Sequence, residues 1–186
     1  LRAHKNLGII LVQKGQFPDA IGPLTKTLNL GNPDGIIYGL LGLCFLNASD
    51  PLSAEAAYRH AIVFAPETKD WKLGLARALL EQQKFTEAIS ILDFLIKLKP
   101  EDPALWLVQA NAYLGIAETQ KAAANYEIVT RLGKATGDSL NLLGDIYMNE
   151  NMKELALEAY LGAMEKDPDQ DISRPLRAAE VLTNRG

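Results

Sequence analysis

Two histidines, one cysteine and three close pairs of acidic residues are the side chains in this sequence that could do chemistry. Paired carboxylates can act as acid and base in glycoside hydrolysis, or they can hold a metal ion. A histidine can activate a neighbouring nucleophile. The acidic pairs are Glu67 with Asp70, Glu101 with Asp102, and Asp167 with Asp169.

We expect none of these groups to be catalytic. The acidic pairs recur at one place in a longer period, which predicts residues that start helices near a positive helix end. His60 has no nucleophile placed beside it, and Cys44 lies in an apolar run where nothing lowers its pKa. Together with His4 these are too few for a metal site built on histidine or thiolate. The sequence predicts no enzyme, no cofactor and no metal.

Composition excludes two classes of partner. The 186 residues are 48% apolar with a net charge of −4, and no window clusters the Lys and Arg that nucleic-acid binding requires. The longest apolar run, residues 35–46, is shorter than the roughly 20 residues of a membrane span. We expect a soluble chain of the cytoplasm or periplasm. Because its first residue is Leu, we expect a fragment of a longer protein.

The elements that position these residues follow a period of 34 residues. Five units align without insertion, namely 1–34, 35–68, 69–102, 103–136 and 137–170. Positions 4, 7, 8 and 11 of each unit share one face of a first helix. A second helix carries alanine at position 20, and proline or a glycine-containing turn ends it. The pattern predicts an all-α fold of helix-turn-helix units in one continuous domain, 1–186.

Position 8 of the unit is always Gly or Ala, although Gly costs about 1 kcal/mol in a helix relative to Ala. Close approach of the second helix would explain this choice. We expect the two backbones to touch where Gly8 meets Ala20. The residue at position 24, Leu24 in the first unit, would fill the space beyond.

Residues 171–186 predict a helix that caps the array. Ser173 is a candidate N-cap, and Pro175 suits the first turn. Leu176 would then lie towards the last unit. Arg174 would face water, as the polar outer face of a terminal unit requires.

This pattern resembles the tetratricopeptide repeat over nearly the whole chain. The shared features are an aromatic residue at position 4, Leu at 7, Gly or Ala at 8, Tyr at 11, Ala at 20, Tyr at 24 and Pro at 32. Departures include Lys72 at position 4, with Trp71 one place earlier, Gln109 at position 7 and Lys134 at position 32. The resemblance implies an α-solenoid, a right-handed superhelix whose first helices line a concave groove that holds peptides or helices of partner proteins.

Positions 5, 9 and 12 form a second stripe on the first helix, offset from its packing face. Position 12 is apolar throughout, which also suits a core between neighbouring first helices. At positions 5 and 9 the sequence is apolar early and polar late, which favours a partner with an amphipathic helix or aliphatic anchors. The candidate partner-binding residues are Lys5, Ile9, Leu43, Leu73, Arg77, Leu107, Asn111, Asn141 and Asp145.

One subclass of the family binds the C-terminal carboxylate of heat-shock chaperones with Lys, Asn and Arg at set positions. Only Lys5 matches that set. The other positions hold Ile9, Leu40, Asp70 and Gly74, so we predict no chaperone-tail binding.

The sequence predicts a non-catalytic scaffold that binds a protein or peptide in its groove. Two alternatives stay open. The groove or the first unit could mediate self-assembly into a homo-oligomer. The array could also be the regulatory arm of a larger enzyme or of an envelope-assembly protein.

Overall fold

The computed structural model describes residues 2–31, 33–168 and 172–183, without the side chains of residues 177, 178, 181 and 182. Eleven helices and no strand occur in these residues, which confirms the all-α prediction. The helices are α1 (Arg2–Gln13), α2 (Phe17–Leu30), α3 (Gly35–Asn47), α4 (Pro51–Phe64), α5 (Lys69–Glu81), α6 (Phe85–Leu98), α7 (Pro103–Gly115), α8 (Thr119–Arg131), α9 (Gly137–Asn149), α10 (Lys153–Lys166) and α11 (Ser173–Thr183).

Polar N-caps start several of the first helices. Asp34 accepts a hydrogen bond of 2.9 Å from the backbone N–H of Ile36, and Asp102 accepts one of 3.0 Å from that of Ala104. The helix-start prediction is therefore confirmed at Asp102. It is wrong at Asp167, which follows the last residue of α10 as its C-cap; Asp169 lies outside the described residues.

The turn between the first and second helix has the same backbone in every unit. The residue at position 15 has a left-handed backbone conformation each time, with φ between 57° and 73°. The N–H of position 16 then bonds to the carbonyl of position 11, which is the Schellman arrangement for ending a helix. Only one of these residues is glycine, the set being Gly15, Ser49, Gln83, Ala117 and Asn151.

The chain forms two compact units, residues 1–98 and 99–186. In the first, each helix from α1 to α6 packs on the next, and the first helices α1, α3 and α5 also touch in succession. In the second, α7 to α11 pack in the same sequential way. That the two units form one continuous array stays a prediction.

The small residue at position 8 makes room for the side chain at position 24. A Cβ added to Gly8 would lie 2.6 Å from Leu24 Cδ2, and one added to Gly144 would lie 2.4 Å from Tyr160 Cε1. The expected filling of this space by Leu24 is therefore confirmed, whereas the backbone contact between Gly8 and Ala20 stays a prediction. Because the side chain at position 24 reaches back over the first helix, it occupies that space itself.

The predicted capping helix is α11, which packs on α10. Its side chains point differently from the prediction. Leu176 is 55% exposed, while the preceding Pro175 is buried. The expectation that Leu176 lies against the last unit is thus wrong, because the proline occupies the buried side.

Candidate functional site

Within residues 1–98, three aliphatic side chains lie on three successive first helices. Ile9 is on α1, Leu43 on α3 and Leu73 on α5, and each is half-buried. Positions 5 and 9 lie one turn apart on the same face of a helix, and these helices touch in succession, so we infer that the three residues follow one stripe. Together with the residues at position 12, we call this surface the first-helix groove. The residues at position 12, Val12, Leu46 and Leu80, are half-buried as well.

Lys5 lies beside this stripe but is already paired. Its ammonium group lies 2.6 Å from Asp34 Oδ2, with the lysine side chain 38% exposed. Burial raises the pKa of Asp34, but the hydrogen bonds from Lys5 and from the backbone of Ile36 outweigh it, so the pKa lies below its usual range. Lys5 therefore links α1 to the N-terminal end of α3 through this ion pair.

Position 5 of the second repeat is closed by an aromatic ring. A Cβ added to Gly39 would lie 2.4 Å from Trp71 Cε2, so the indole of α5 rests directly on the backbone of α3. The Trp71 N–H is buried and has no hydrogen-bond partner among the described residues. The tryptophan found one place early in the sequence thus fills space that a side chain at position 39 would need.

Tyr58 packs just beneath the groove, in contact with Gly42 and Gly74 on two first helices. Burial raises its pKa to about 12, and the charge of Arg77 opposes that rise. Arg77 itself is exposed and forms no ion pair among the described residues. It places an accessible cation on α5, four residues beyond Leu73.

Within residues 99–186, the side chain at position 9 accepts a hydrogen bond from the packing tyrosine of the same repeat. The Tyr126 hydroxyl donates to Asn111 Oδ1 at 3.0 Å, and the Tyr160 hydroxyl donates to Asp145 Oδ1 at 2.8 Å. Arg174 also donates from Nε to Asp145 Oδ1, at 3.2 Å. A cavity of about 370 Å³ opens here, lined by Asp145, Met148, Asn149, Tyr160 and Arg174.

Two of the predicted partner-binding residues in residues 99–186 are largely buried. One residue that contacts this site, Arg174, was not among the predicted partner-binding residues. Leu107 packs against the core around Ala110, and Asn141 is only 9% exposed. Arg174 is exposed, as expected of the outer face, but its guanidinium also pairs with Asp145, which the sequence analysis did not predict. Its place at position 4 of a sixth 34-residue unit was the available signal.

Of the groups that could do chemistry, Cys44 is a core residue and His60 is an exposed residue stacked on a neighbouring ring. Cys44 is fully buried, and burial raises the pKa of its thiol to about 11. The His60 ring stacks on Tyr38 at 5.0 Å, and its Nδ1 lies 2.7 Å from the Ala56 carbonyl oxygen. Within the described part of the chain, no three His, Cys, Asp or Glu side chains cluster as metal ligands. No helix there has the length and apolarity of a membrane span.

Two sequence patterns of the tetratricopeptide repeat match this chain. One matches residues 45–112, and the other matches residues 5–68 and again 107–171. The chain belongs to the tetratricopeptide repeat family. The family resemblance expected from position 8, position 20 and position 24 is confirmed.

Several solved structures share the fold at low sequence identity. MamA residues 41 to the end from Desulfovibrio magneticus RS-1 is 17% identical with a TM-score of 0.82, over 91% of this chain and 96% of that one. TTC0263, a thermophilic TPR protein of Thermus thermophilus, is 20% identical with a TM-score of 0.67, over 98% of both chains. PilF of Pseudomonas aeruginosa is 21% identical with a TM-score of 0.77, over 99% of this chain and 85% of that one. At these identities the likeness shows the fold alone.

Proposed function

We propose that this protein is a non-catalytic scaffold whose first-helix groove in residues 1–98 binds a partner segment with aliphatic anchors. The observation that carries the proposal is the stripe of Ile9, Leu43 and Leu73, each half-buried on successive first helices. Half-buried aliphatic residues in a row leave apolar surface that a partner can cover. An amphipathic helix suits such a stripe, because its anchors repeat along one face.

The expected affinity is moderate. Complete burial of one Leu-sized side chain contributes about 1.5 to 3 kcal/mol. Further burial of three half-buried side chains contributes a fraction of that for each, and the partner's own anchors contribute as well. After the costs of association and ordering, a dissociation constant of about 1 μM, or about −8 kcal/mol, is a reasonable expectation.

The exposed cation Arg77 indicates the charge that the partner should carry. Arg77 is exposed and unpaired among the described residues, whereas Lys5 is held by Asp34. A partner carboxylate near Arg77 would gain a charge-assisted hydrogen bond. We therefore expect the bound segment to combine aliphatic anchors with an acidic residue at the α5 end.

A displayed peptide library, selected on the immobilised protein, tests this proposal. Selected peptides are then titrated calorimetrically against the protein and its variants. Leu43→Asp and Arg77→Glu change the groove. Leu52→Asp is the matched apolar control, because Leu52 is 68% exposed on the second helix α4, and Lys26→Glu is the charge control on α2.

The proposal predicts peptides rich in aliphatic residues with at least one Asp or Glu. Leu43→Asp should weaken their binding at least tenfold, and Arg77→Glu should weaken it in a salt-dependent way. Both controls should bind as the unchanged protein does. Peptides that bind Leu43→Asp and Arg77→Glu at full affinity would overturn the proposal.

A further inference from the structure

An apolar groove lies within residues 99–186, on the side of the second helices. It has a volume of about 900 Å³ and opens between α8, α9 and α10, and we call it the second-helix groove. The buried side chains of Leu140 and Leu143 on α9 form its floor, and Leu155 of α10 lines it with 44% of its surface exposed. The flanking helices α7 and α11 pack on α8 and α10, and none of their described residues lines the groove.

Position 26 is a glycine in the fifth repeat, residues 137–170, and a larger residue in the other four. The larger residues are Lys26, His60, Phe94 and Ile128. In the second repeat this residue is covered by the residue at position 4, since the rings of His60 and Tyr38 stack with centroids 5.0 Å apart. In the fifth repeat the same two positions hold Gly162 and Leu140, so the space stays open as part of the groove.

No contact within the described residues requires a glycine at residue 162. A Cβ added there would lie 3.5 Å from Leu140 Cδ1, which is an ordinary contact distance. Glycine is unfavourable in the interior of a helix relative to alanine, but it allows another chain to approach the backbone closely. Gly162 therefore leaves α10 accessible to an occupant of the groove.

One edge of the second-helix groove is a row of acidic side chains on α10. Glu154, Glu158 and Glu165 line the groove, and all three are exposed. They form no ion pair within the described residues. In the other four repeats the same positions, 18, 22 and 29, hold no Asp or Glu. The acidic row is thus specific to the fifth repeat.

The charges on the α8 edge of the groove are already paired. Glu127 accepts a hydrogen bond of 2.7 Å from the Tyr147 hydroxyl, and its carboxylate lies 3.1 Å from Arg131. The remaining charged residue of the lining, Lys166, offsets one of the three glutamates of α10. An occupant therefore meets net negative charge along α10 beside an apolar floor.

We propose that the second-helix groove binds a basic amphipathic helix of a partner protein. Aliphatic side chains of that helix lie against Leu155 and the floor at Leu140, and its Lys or Arg side chains face the acidic row of α10. Glu154 and Glu165 are about 16 Å apart along the helix axis, so a partner helix of three turns matches the row. This surface shares no residue with the first-helix groove, and its occupant carries the opposite charge.

A displayed library of randomised helical peptides, each about 15 residues and therefore about 22 Å long, tests the proposal. The library is selected on the whole chain carrying Leu43→Asp, so that the first-helix groove is not sampled. Selected peptides are titrated calorimetrically against two further variants of that protein. Gly162→Phe fills the groove with the residue that α6 has at position 26, and Glu158→Lys reverses one charge of the row.

Two matched controls make the same changes elsewhere. Gly22→Phe lies in the interior of α2, where an added Cβ meets nothing within 4 Å. Glu81→Lys lies at the exposed end of α5 and changes the net charge of the chain by the same amount as Glu158→Lys. Circular dichroism checks that all variants are folded.

We expect the selected peptides to have one face rich in Lys or Arg and another rich in aliphatic residues. Gly162→Phe should weaken their binding about tenfold at every salt concentration, because the lost contact is apolar. Glu158→Lys should weaken it about tenfold at low salt and less at high salt. Both controls should leave the affinity unchanged.

Three results would overturn the proposal. The folded protein could select no peptide, or only acidic ones. Basic peptides could bind Gly162→Phe and Glu158→Lys at full affinity, which would place their site elsewhere. Glu81→Lys could weaken binding as much as Glu158→Lys, which would show attraction to the net charge of the chain rather than to the groove.

Discussion

The hydroxyl of Tyr160 donates a 2.8 Å hydrogen bond to Oδ1 of Asp145, which joins the packing residue at position 24 to the residue at position 9 of the same repeat. The preceding repeat has the same link between Tyr126 and Asn111, at 3.0 Å. The tyrosine ring packs against the small residue at position 8, while its hydroxyl reaches the side chain at position 9 of the same repeat. In residues 99–186, the orientation of the side chain at position 9 is therefore fixed by the core of its own repeat.

Replacing Tyr160 with Phe should lower the free energy of unfolding by about 0.5 to 1.5 kcal/mol, because the ring remains and the hydrogen bond to Asp145 is lost. Urea unfolding measures the change. Tyr38→Phe is the control, since that hydroxyl makes no hydrogen bond within the described residues and should change stability little. Equal effects of the two substitutions would contradict a role for the Tyr160–Asp145 bond.

Gly74→Ala should destabilise the protein by about 1 to 3 kcal/mol through overpacking. A Cβ at this position would lie 2.3 Å from Tyr58 Cζ, and the same ring also contacts Gly42. Gly22→Ala is the matched control in α2, where an added Cβ meets nothing within 4 Å. The control should stabilise by up to about 1 kcal/mol, from helix propensity alone. A stabilised Gly74→Ala variant would show that the Tyr58 ring has room to move.

Ala117→Gly should stabilise the protein, by about 1 kcal/mol, because Ala117 has φ of 58° and a left-handed backbone disfavours a Cβ. Ala124→Gly is the matched control in the interior of α8, where the same change should cost about 1 kcal/mol. Thermal unfolding of both variants checks the opposite signs. A lower midpoint for Ala117→Gly would contradict the strain argument.

Glu55 should make stability depend on pH in the acidic range. The hydrogen bond from Lys84 lowers the pKa of Glu55 most, and burial opposes this effect. Further hydrogen bonds from Arg59 and Gln82 bring the pKa to about 2, below its ordinary 4.5. A lowered pKa in the folded state gives stability that is complete above pH 4.5 and is lost as pH falls towards 2.

Because the partners Arg59 and Lys84 are 51% and 40% exposed, solvent screens these ion pairs, and the contribution is about 1 kcal/mol at neutral pH. Glu55→Gln should remove it, so the difference between the two proteins should shrink between pH 4.5 and 2. Urea unfolding at a series of pH values measures that difference. A difference that stays constant across this range would refute the ion-pair origin of the effect.

Much of the fold follows from spacing in the sequence. The 34-residue period predicts the ten helices of the five units, because apolar positions at helical spacing and stops near position 32 recur in each. The existence of α11 also follows, from Ser173 and Pro175. The left-handed residue at position 15 could not be predicted at Gln83 or Ala117, since neither side chain favours that backbone.

The candidate site is less accessible to sequence reasoning, because its features depend on contacts between repeats. Lys5 of α1 is paired with Asp34, which is the N-cap residue of α3. The indole of Trp71 on α5 packs on Gly39 of α3. Arg174 reaches Asp145 although the two are 29 residues apart. Periodicity assigns each residue to a face of its own helix but does not say which neighbouring side chain fills that face.

Photocrosslinking in cells of the source organism tests the central claim most directly. A photoreactive amino acid replaces Leu43 in the first-helix groove or Leu52 on α4, and crosslinked products are identified by mass spectrometry. The account predicts that position 43 crosslinks one or a few proteins through segments rich in aliphatic residues, while position 52 does not. Crosslinks to the same proteins from position 52 and none from position 43 would contradict partner binding in the first-helix groove.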